Sequence, residues 1–394
     1  MGETYFMIKE TLNANSMRLK NQKKIINLLR LAPRSRADLA RKTGLTRSAI
    51  SVLIDSLIQD NIVVEDTLIS GKVGRSSMNM KLNPNKYCIL GFDIARNEYT
   101  VGLSDFSGEI LEAKSRKYEK VYSATDVIYD LIKQGKEMLD KHKEIEELLG
   151  IGITAPGPLD SEGGIILNPP NFKEWENIKI VECIKEIFKC PVYLENNAKA
   201  LALAECYFTE NREFSSFLEL VIDSGIGGGI IIDGKLYKGR YGFSGDIGHI
   251  TVNIEGEQCS CGNIGCAELY ASIPNIINYA MQEDVKLSDW KSIVDEKENG
   301  NVIAKKIIDR EINFLVTIIT TAINLLDLDA IIVSGELLYK EAELLQEIEL
   351  RLNQRFMGRN VRKVVVKPSL LSKQSNILAA TNLVLEQYMQ QYEI

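Results

Sequence analysis

The sequence predicts a winged helix-turn-helix at the N-terminus joined to an α/β body of two lobes. Three observations carry this. A helix, glycine turn, helix pattern opens the chain and is followed by two strand-like runs around a basic tip. A strand-turn-strand pattern occurs twice, from Tyr87 and again from Phe217. Charge is split, with 13 Lys and Arg against 7 Asp and Glu in residues 1–80, and 34 against 47 in residues 81–394.

The head reads in order. NQKKIINLLR, residues 21–30, gives an amphipathic helix on Ile25, Ile26, Leu28 and Leu29, and Pro33 stops it. Ser35-Arg36-Ala37-Asp38 resembles a capping box, in which the serine oxygen accepts from an amide three residues on and the acid reaches back. That second helix ends at Thr43-Gly44. Thr46 caps a third helix, with Leu45 and Ile50 placed as a hydrophobic staple and Ile50, Leu53 and Leu57 as its buried stripe. Its outer face carries Arg47, Ser48, Ser51 and Asp55, a small-polar and basic surface suited to the major groove. IVVEDTLI and SSMNMKL then flank Ser70-Gly71-Lys72-Val73-Gly74-Arg75, which reads as a wing reaching phosphate or the minor groove. The expected DNA contacts are Arg36, Thr46, Arg47, Ser48, Ser51, Lys72 and Arg75. A net charge of +6 on residues 1–80 against −13 on the rest suggests that only the head meets a polyanion, a solvated basic face being the other reading of the charge alone.

Asn83-Pro84-Asn85 breaks both periodicities and marks the domain boundary, with the head at 1–82. The body divides into a first lobe, 83–198, to which a C-terminal helix at 377–394 returns, and a second lobe, 199–376. Tyr87 to Ala113 reads as YCILGFDIA, EYTVGLSD, SGEILEAK, and Phe217 to Tyr237 repeats it as FLELVIDSG, IGGGIIID, GKLY. Asp93 and Asp223 end the first strand of each copy. Such duplication suggests two lobes around a ligand cleft.

Composition narrows the setting. No run approaches the roughly 18 apolar residues a bilayer span needs, and MGETYFMIKE lacks the basic start and apolar core of a signal peptide, so a cytoplasmic protein without membrane partners is expected. Seven cysteines, odd in number and unevenly spaced, do not make a disulfide framework. Cys259, Cys261 and Cys266 are bunched, and His249, one of only two histidines, stands just before them. One imidazole and three thiolates form a closed tetrahedral set typical of structural Zn²⁺.

Gly-Asp-Ile-Gly-His from Gly245, followed by CSCGNIGCAE ending at Glu268, closely resembles the signature of the ROK family (repressors, open reading frames, kinases). GITAPGPLD from Gly152, LENNAKALALAE from Leu194, DSGIGGGI from Asp223 and AIIVSGE from Ala330 match in the family's order, so the resemblance covers nearly the whole chain. It implies the actin-like ATPase and sugar-kinase fold for the body, with the head marking the repressor branch. It also implies a sugar site at Gly157, Asn196, Asn197, Asp246, His249 and Glu268, where Asp246 stands in place of the family's usual Glu.

Two departures argue against kinase chemistry. The catalytic Asp of family kinases is matched here by Asn197, and an amide is no general base at neutral pH. The family's Asp-x-Gly-Gly-Thr phosphate loop appears as Asp93-Ile94-Ala95-Arg96-Asn97, whose bulk hinders close approach of phosphate. The glycine run from Gly225 to Gly229 suits either a nucleotide loop or a tight strand connection. The expected function is a repressor of carbohydrate-utilisation genes, not an enzyme. It would bind a palindromic operator as a homodimer or dimer of dimers and answer to a monosaccharide of xylose or glucose type between its lobes. Two rivals stand beside it: an active sugar kinase that carries a DNA-binding head, and an interaction protein controlled by a transport component.

Overall fold

The computed structural model describes residues 14–66, 78–119, 122–170, 172–209, 214–371 and 375–392. The head contains α1 (Ala14–Leu31), β1 (Arg34–Ser35), α2 (Arg36–Thr43), α3 (Arg47–Gln59), β2 (Val63–Asp66) and β3 (Asn79–Leu82), with the strands paired antiparallel in the order β1-β3-β2. Thr46 caps α3 as expected, its hydroxyl accepting from the Ala49 amide at 3.2 Å. Gly44 closes α2 at φ 74, the left-handed conformation that glycine adopts without strain. Half of the expected capping box forms. Ser35 accepts from the Asp38 amide at 3.2 Å, but the Asp38 carboxylate turns to Arg34, at 2.9 Å, and to Arg41. Two guanidinium partners outcompete one backbone amide because charge-assisted bonds are stronger. The wing tip, with Lys72 and Arg75, lies outside the described residues.

The first part of the body comprises β4 (Tyr87–Ile94), β5 (Glu98–Asp105), β6 (Ile110–Lys117), α4 (Ala124–Lys141), β7 (Glu147–Ala155), β8 (Leu159–Asp160), β9 (Ile165–Ile166), α5 (Ile180–Phe188) and β10 (Val192–Asn196). Then α6 (Asn197–Phe208) leads to β11 (Phe217–Ile222), β12 (Ile226–Ile232), β13 (Lys235–Leu236), α7 (Glu268–Ala271), α8 (Ile273–Glu283), α9 (Trp290–Glu298), α10 (Val302–Leu326), β14 (Ala330–Ser334), α11 (Ala342–Leu352), β15 (Val365–Pro368) and α12 (Ser375–Gln390). The two large sheets repeat one plan. Their strand orders are β6-β5-β4-β7-β10 and β13-β12-β11-β14-β15, and in each the first two pairings are antiparallel and the last two parallel. The duplication read from the strand patterns is thus a duplication of topology.

The helix α12 returns to the first sheet, and glycine makes the contact possible. A Cβ on Gly152 of β7 would stand 1.7 Å from the Ala380 carbonyl, and one on Gly102 of β5 would stand 2.3 Å from Ile377. Between the lobes, α6 packs on α12 and on β12. The head does not hang free. Its buried residues Ile25, Ile26, Leu29, Leu39, Ile50 and Leu57 form one continuous apolar cluster with Ile89, Phe106, Leu385 and Met389 of the body. Beside that cluster Arg30 of α1 reaches in, only 7% exposed. It donates to Asn382 Oδ1 of α12 at 2.9 Å and lies over the rings of Phe208 and Tyr207 of α6 at 4.5 and 5.1 Å. Among the described residues no helix is long and apolar enough to cross a membrane.

Candidate functional site

All six residues expected at the sugar site line one cleft of about 180 Å³ between the lobes, together with Arg96, Asp223, Gly225 and Asn376. The cleft lies where β4, β7, β10 and β11 end, the usual ligand position in sheets of this kind.

The loop from Glu195 to Asn197 is held rigidly. Glu195 accepts from the Asn196 amide at 3.0 Å and from Ser161 at 3.2 Å, and pairs with Lys238 of the second lobe at 2.8 Å. Asn196 caps α6, its Oδ1 accepting from the amides of Ala198 and Lys199 at 3.0 and 3.4 Å, so its Nδ2 is the part left for a ligand. Gly157 leaves room for that amide, since a Cβ there would stand 3.3 Å from Asn196 Nδ2.

Asn197 donates to Asp93 Oδ1 at 2.9 Å and to the Ile94 carbonyl at 3.2 Å. Asp93 also accepts from Thr154, its register partner on β7, at 2.7 Å, and from Asn376 at 3.1 Å. Burial pushes the Asp93 carboxyl up to about 6 against the pull of these three donors. The residue that matches the kinases' catalytic Asp is therefore an amide occupied in holding a buried acid.

The second-lobe wall supplies Asp246, His249 and Glu268. Burial raises the Asp246 carboxyl, opposed by the Lys199 ammonium and His249. Lys199, itself buried and lowered by desolvation, donates to the Gly242 carbonyl. Glu268 accepts from the Ile226 amide at 3.0 Å. Gly225 leaves room for this carboxylate, since a Cβ there would lie 2.6 Å from Glu268 Oε2, the movable end of that side chain. A Cβ on Gly229 would lie 2.5 Å from the Ala198 carbonyl of α6, and one on Gly228 would lie 2.9 Å from the Gly245 carbonyl. Tight packing against backbone accounts for Gly228 and Gly229 without a phosphate.

His249, Cys259, Cys261 and Cys266 offer ligand atoms that all lie within 4.8 Å of one another. Cys261 and Cys266 sulfurs are 3.7 Å apart, and Cys259 Sγ is 3.7 Å from His249 Nδ1. A disulfide would need about 2.05 Å. Tetrahedral metal–sulfur bonds of about 2.3 Å give ligand edges of about 3.8 Å, so the donor set fits a metal ion. Gly262 and Gly265, at φ 95 and 64, let the loop fold back, and the Cys259 amide closes it on the Asn263 carbonyl at 2.8 Å.

In the head, Arg47 and Ser48 stand exposed on α3 and Ser51 is half-buried beside them. Arg36 crosses from α2 to pair with Asp55 at 2.7 Å and donates to the Ser51 carbonyl at 3.4 Å, which braces α3. The Thr46 hydroxyl is shared between its cap and Ser48 at 3.1 Å. Sequence reasoning missed Val52, an apolar residue 66% exposed on this outer face, whose only sequence signal was its place four residues after Ser48. It also missed Asn376 and Thr154, which no motif marks.

Comparison with known proteins agrees with this arrangement. The ROK family model matches residues 89–387. A xylose repressor of Caldicellulosiruptor bescii is 34% identical over 277 residues, 68% of each chain. The xylose repressor of Bacillus subtilis is 27% identical over 372 residues, covering 94% of this chain and 96% of its own. Among solved structures, a ROK family transcriptional regulator described as a homolog of the E. coli MLC protein has a TM-score of 0.78 at 24% identity, over 96% of this chain and 98% of that one. The ROK hexokinase of Thermus thermophilus reaches 0.64 at 23% identity, over 76% of this chain and 99% of its own. Both likenesses establish the fold. The chain belongs to the ROK family, among its sugar-responsive transcription repressors rather than its kinases.

Proposed function

We propose that the chain represses carbohydrate-utilisation genes by holding a palindromic operator with the heads of a homodimer, or dimer of dimers, and that a monosaccharide of xylose or glucose type in the cleft is its effector. The division into a head at 1–82 and lobes at 83–198 and 199–376 is part of this reading. One observation carries it: the six sugar-site residues converge on one cleft, while the position that should remove a proton is an amide bonded to Asp93. Hydroxyls need fixed donors and acceptors, and Asn196 Nδ2, Asp246, His249 and Glu268 supply both. Zn²⁺ would be held by His249, Cys259, Cys261 and Cys266 and would stabilise their loop. With Nδ1 on the thiolate side, the Nε2 of His249 is the nitrogen left for the cleft.

Arg47, Ser48 and Ser51 would meet base edges, with Arg36 and Thr46 shaping the helix that carries them and Lys72 and Arg75 adding wing contacts. Coupling would run along two helices. α6 starts at Asn197 in the cleft and ends at Phe208 under Arg30, and α12 carries both Asn376, bonded to Asp93, and Asn382, bonded to Arg30. A sugar that binds one lobe arrangement more tightly would shift both helices and with them the head.

The test uses DNA from the intergenic region beside the chain's own gene in a fluorescence anisotropy titration. Tight binding of that DNA, shifted by D-xylose, D-glucose or N-acetylglucosamine, is expected. ATP-dependent phosphorylation of any of these sugars at ordinary kinase rates would overturn the reading.

A further inference from the structure

The cleft holds one cation to which neither the family resemblance nor the sugar-site set assigns a task. Arg96 sits in the hairpin between β4 and β5, half-buried, with its side chain lining the cleft. A guanidinium carries five N–H donors and cannot give up its charge. Among the described residues Arg96 makes a single hydrogen bond, from Nη1 to the Pro170 carbonyl, and no ion pair. None of its nitrogens is sealed away from solvent without a partner, and the residue lines the cleft, so donors are left for a ligand there. Glu268, on the opposite wall, attracts it.

A partly desolvated guanidinium with open donors, aimed into a ligand-sized space, is an incomplete binding group. Its planar fork matches two oxygens side by side. Two kinds of ligand offer such a pair, a phosphate and a vicinal diol. The walls decide between them. Asp223, Asp246 and Glu268 line the same space as Arg96. A phosphate would bring close to two negative charges beside these carboxylates, with one guanidinium to offset them. A diol brings none, and its hydroxyl hydrogens can be donated onward to the same carboxylates.

We propose that Arg96 is an effector-binding residue, whose guanidinium donates to two vicinal hydroxyls of an uncharged monosaccharide. The inference rests on the sugar-cleft reading above and adds the group that reads the diol. It also gives the altered phosphate loop a positive role: the residue that obstructs phosphate is itself the sugar contact.

The experiment is calorimetry on the full chain and its Arg96→Met and Arg96→Lys variants with D-xylose, D-glucose, N-acetylglucosamine and glucose 6-phosphate, followed by monodeoxy analogues of whichever sugar binds. Arg96→Met is expected to weaken the free sugar by about 10- to 100-fold, the range for a lost charged hydrogen bond, with Arg96→Lys in between. A deoxy analogue lacking one hydroxyl of the diol should bind the parent worse than the sugar does, and that penalty should be clearly smaller in Arg96→Met, where only the hydroxyl's bond to a carboxylate remains to be lost. Circular dichroism and metal content equal to the parent's would exclude misfolding as the cause. If Arg96→Met binds the sugar as tightly as the parent, the proposal falls. It falls also if glucose 6-phosphate binds the parent more tightly than glucose and Arg96→Met abolishes that preference, since Arg96 would then read phosphate. If neither free sugars nor the sugar phosphate bind the parent, the cleft reading fails and the inference with it.

Discussion

Replacing Arg30 by Met tests whether the two helices transmit the effector signal. The change removes a guanidinium that bonds Asn382 at 2.9 Å and lies over Phe208 and Tyr207, but keeps an unbranched stem of similar length in the same apolar surroundings. A hydrogen bond to a charged group is worth about 1.5–3 kcal/mol and a desolvated cation–π contact about 2 kcal/mol. Against these stands the cost of burying the charge, several kcal/mol, which Met does not incur. The terms nearly cancel, and what remains is the Asn382 carbonyl left without its donor, about 1–3 kcal/mol. We predict a loss of stability of that size, reduced by a second change, Asn382→Leu. Coupling should not recover with it. Allosteric coupling energies run at about 1–3 kcal/mol, so a sugar that shifts operator affinity by about 5- to 150-fold in the parent should shift it by less than about 3-fold in Arg30→Met. Anisotropy titrations with and without sugar measure this. Calorimetry on DNA-free protein should find sugar affinity within about 2-fold of the parent's, because the cleft lies about 18 Å away, the length of the twelve-residue α6. A full effector response in a folded Arg30→Met protein would refute the helix route.

Other outcomes follow from the same geometry. Cys261→Ser should abolish the roughly one metal ion per chain expected by elemental analysis, since a neutral hydroxyl replaces a thiolate ligand. Glu268→Ala should cost about 1.5–3 kcal/mol of sugar affinity by calorimetry and leave operator affinity unchanged, and normal sugar binding would show that the effector sits elsewhere. Arg47→Ala should weaken operator binding by about 1–3 kcal/mol, and an unchanged footprint would refute the placement of α3 in the groove. Asp93 has its folded-state carboxyl raised from 3.8 to about 6, so the folded state holds more protons than the unfolded one between those values. Its contribution to stability is present below pH 3.8 and lost as pH rises through about 6, and a melting series from pH 4 to 7 should show a slope of that sign that Asp93→Asn lacks.

What could be read from the sequence was what local pattern controls. Thr46 and Ile50 place α3 because a cap and a staple act within five residues, and the twin strand patterns place both sheets because alternation and Asp-Gly turns are local too. The turn at Asp233 and Gly234, both at positive φ of 49 and 72, is of the kind such pairs favour. The thiolate cluster was legible because its ligands crowd into eight residues after a rare histidine. The capping box failed in one half because Arg34 and Arg41 compete for Asp38, and such competition is settled by geometry. Arg30 could not be read at all. Its partner Asn382 is 352 residues away, and nothing in an amphipathic helix distinguishes an arginine that faces water from one that enters the body. Arg96 was read as bulk in a phosphate loop, whereas its open donors appear only once Pro170 and Glu268 are in place beside it.

On the proposed reading, the cleft of a kinase-like body keeps a sugar site while an amide stands in the place of the catalytic base. Asp93 accepts from Asn197, Thr154 and Asn376, so its carboxylate is surrounded by donors and one of them occupies the catalytic position. Returning a carboxylate there by Asn197→Asp would set two acids at about 3 Å, where both cannot stay ionised. Family kinases nonetheless carry an Asp at both matching positions, so a second acid does not by itself bar catalysis. Restoring catalysis would also require clearing Arg96 from the path of the phosphate. The same donors tie the start of α12 to the floor of the cleft through Asn376. What a kinase would use to position a nucleophile is here a clasp between the ligand site and a helix that reaches the DNA-binding head.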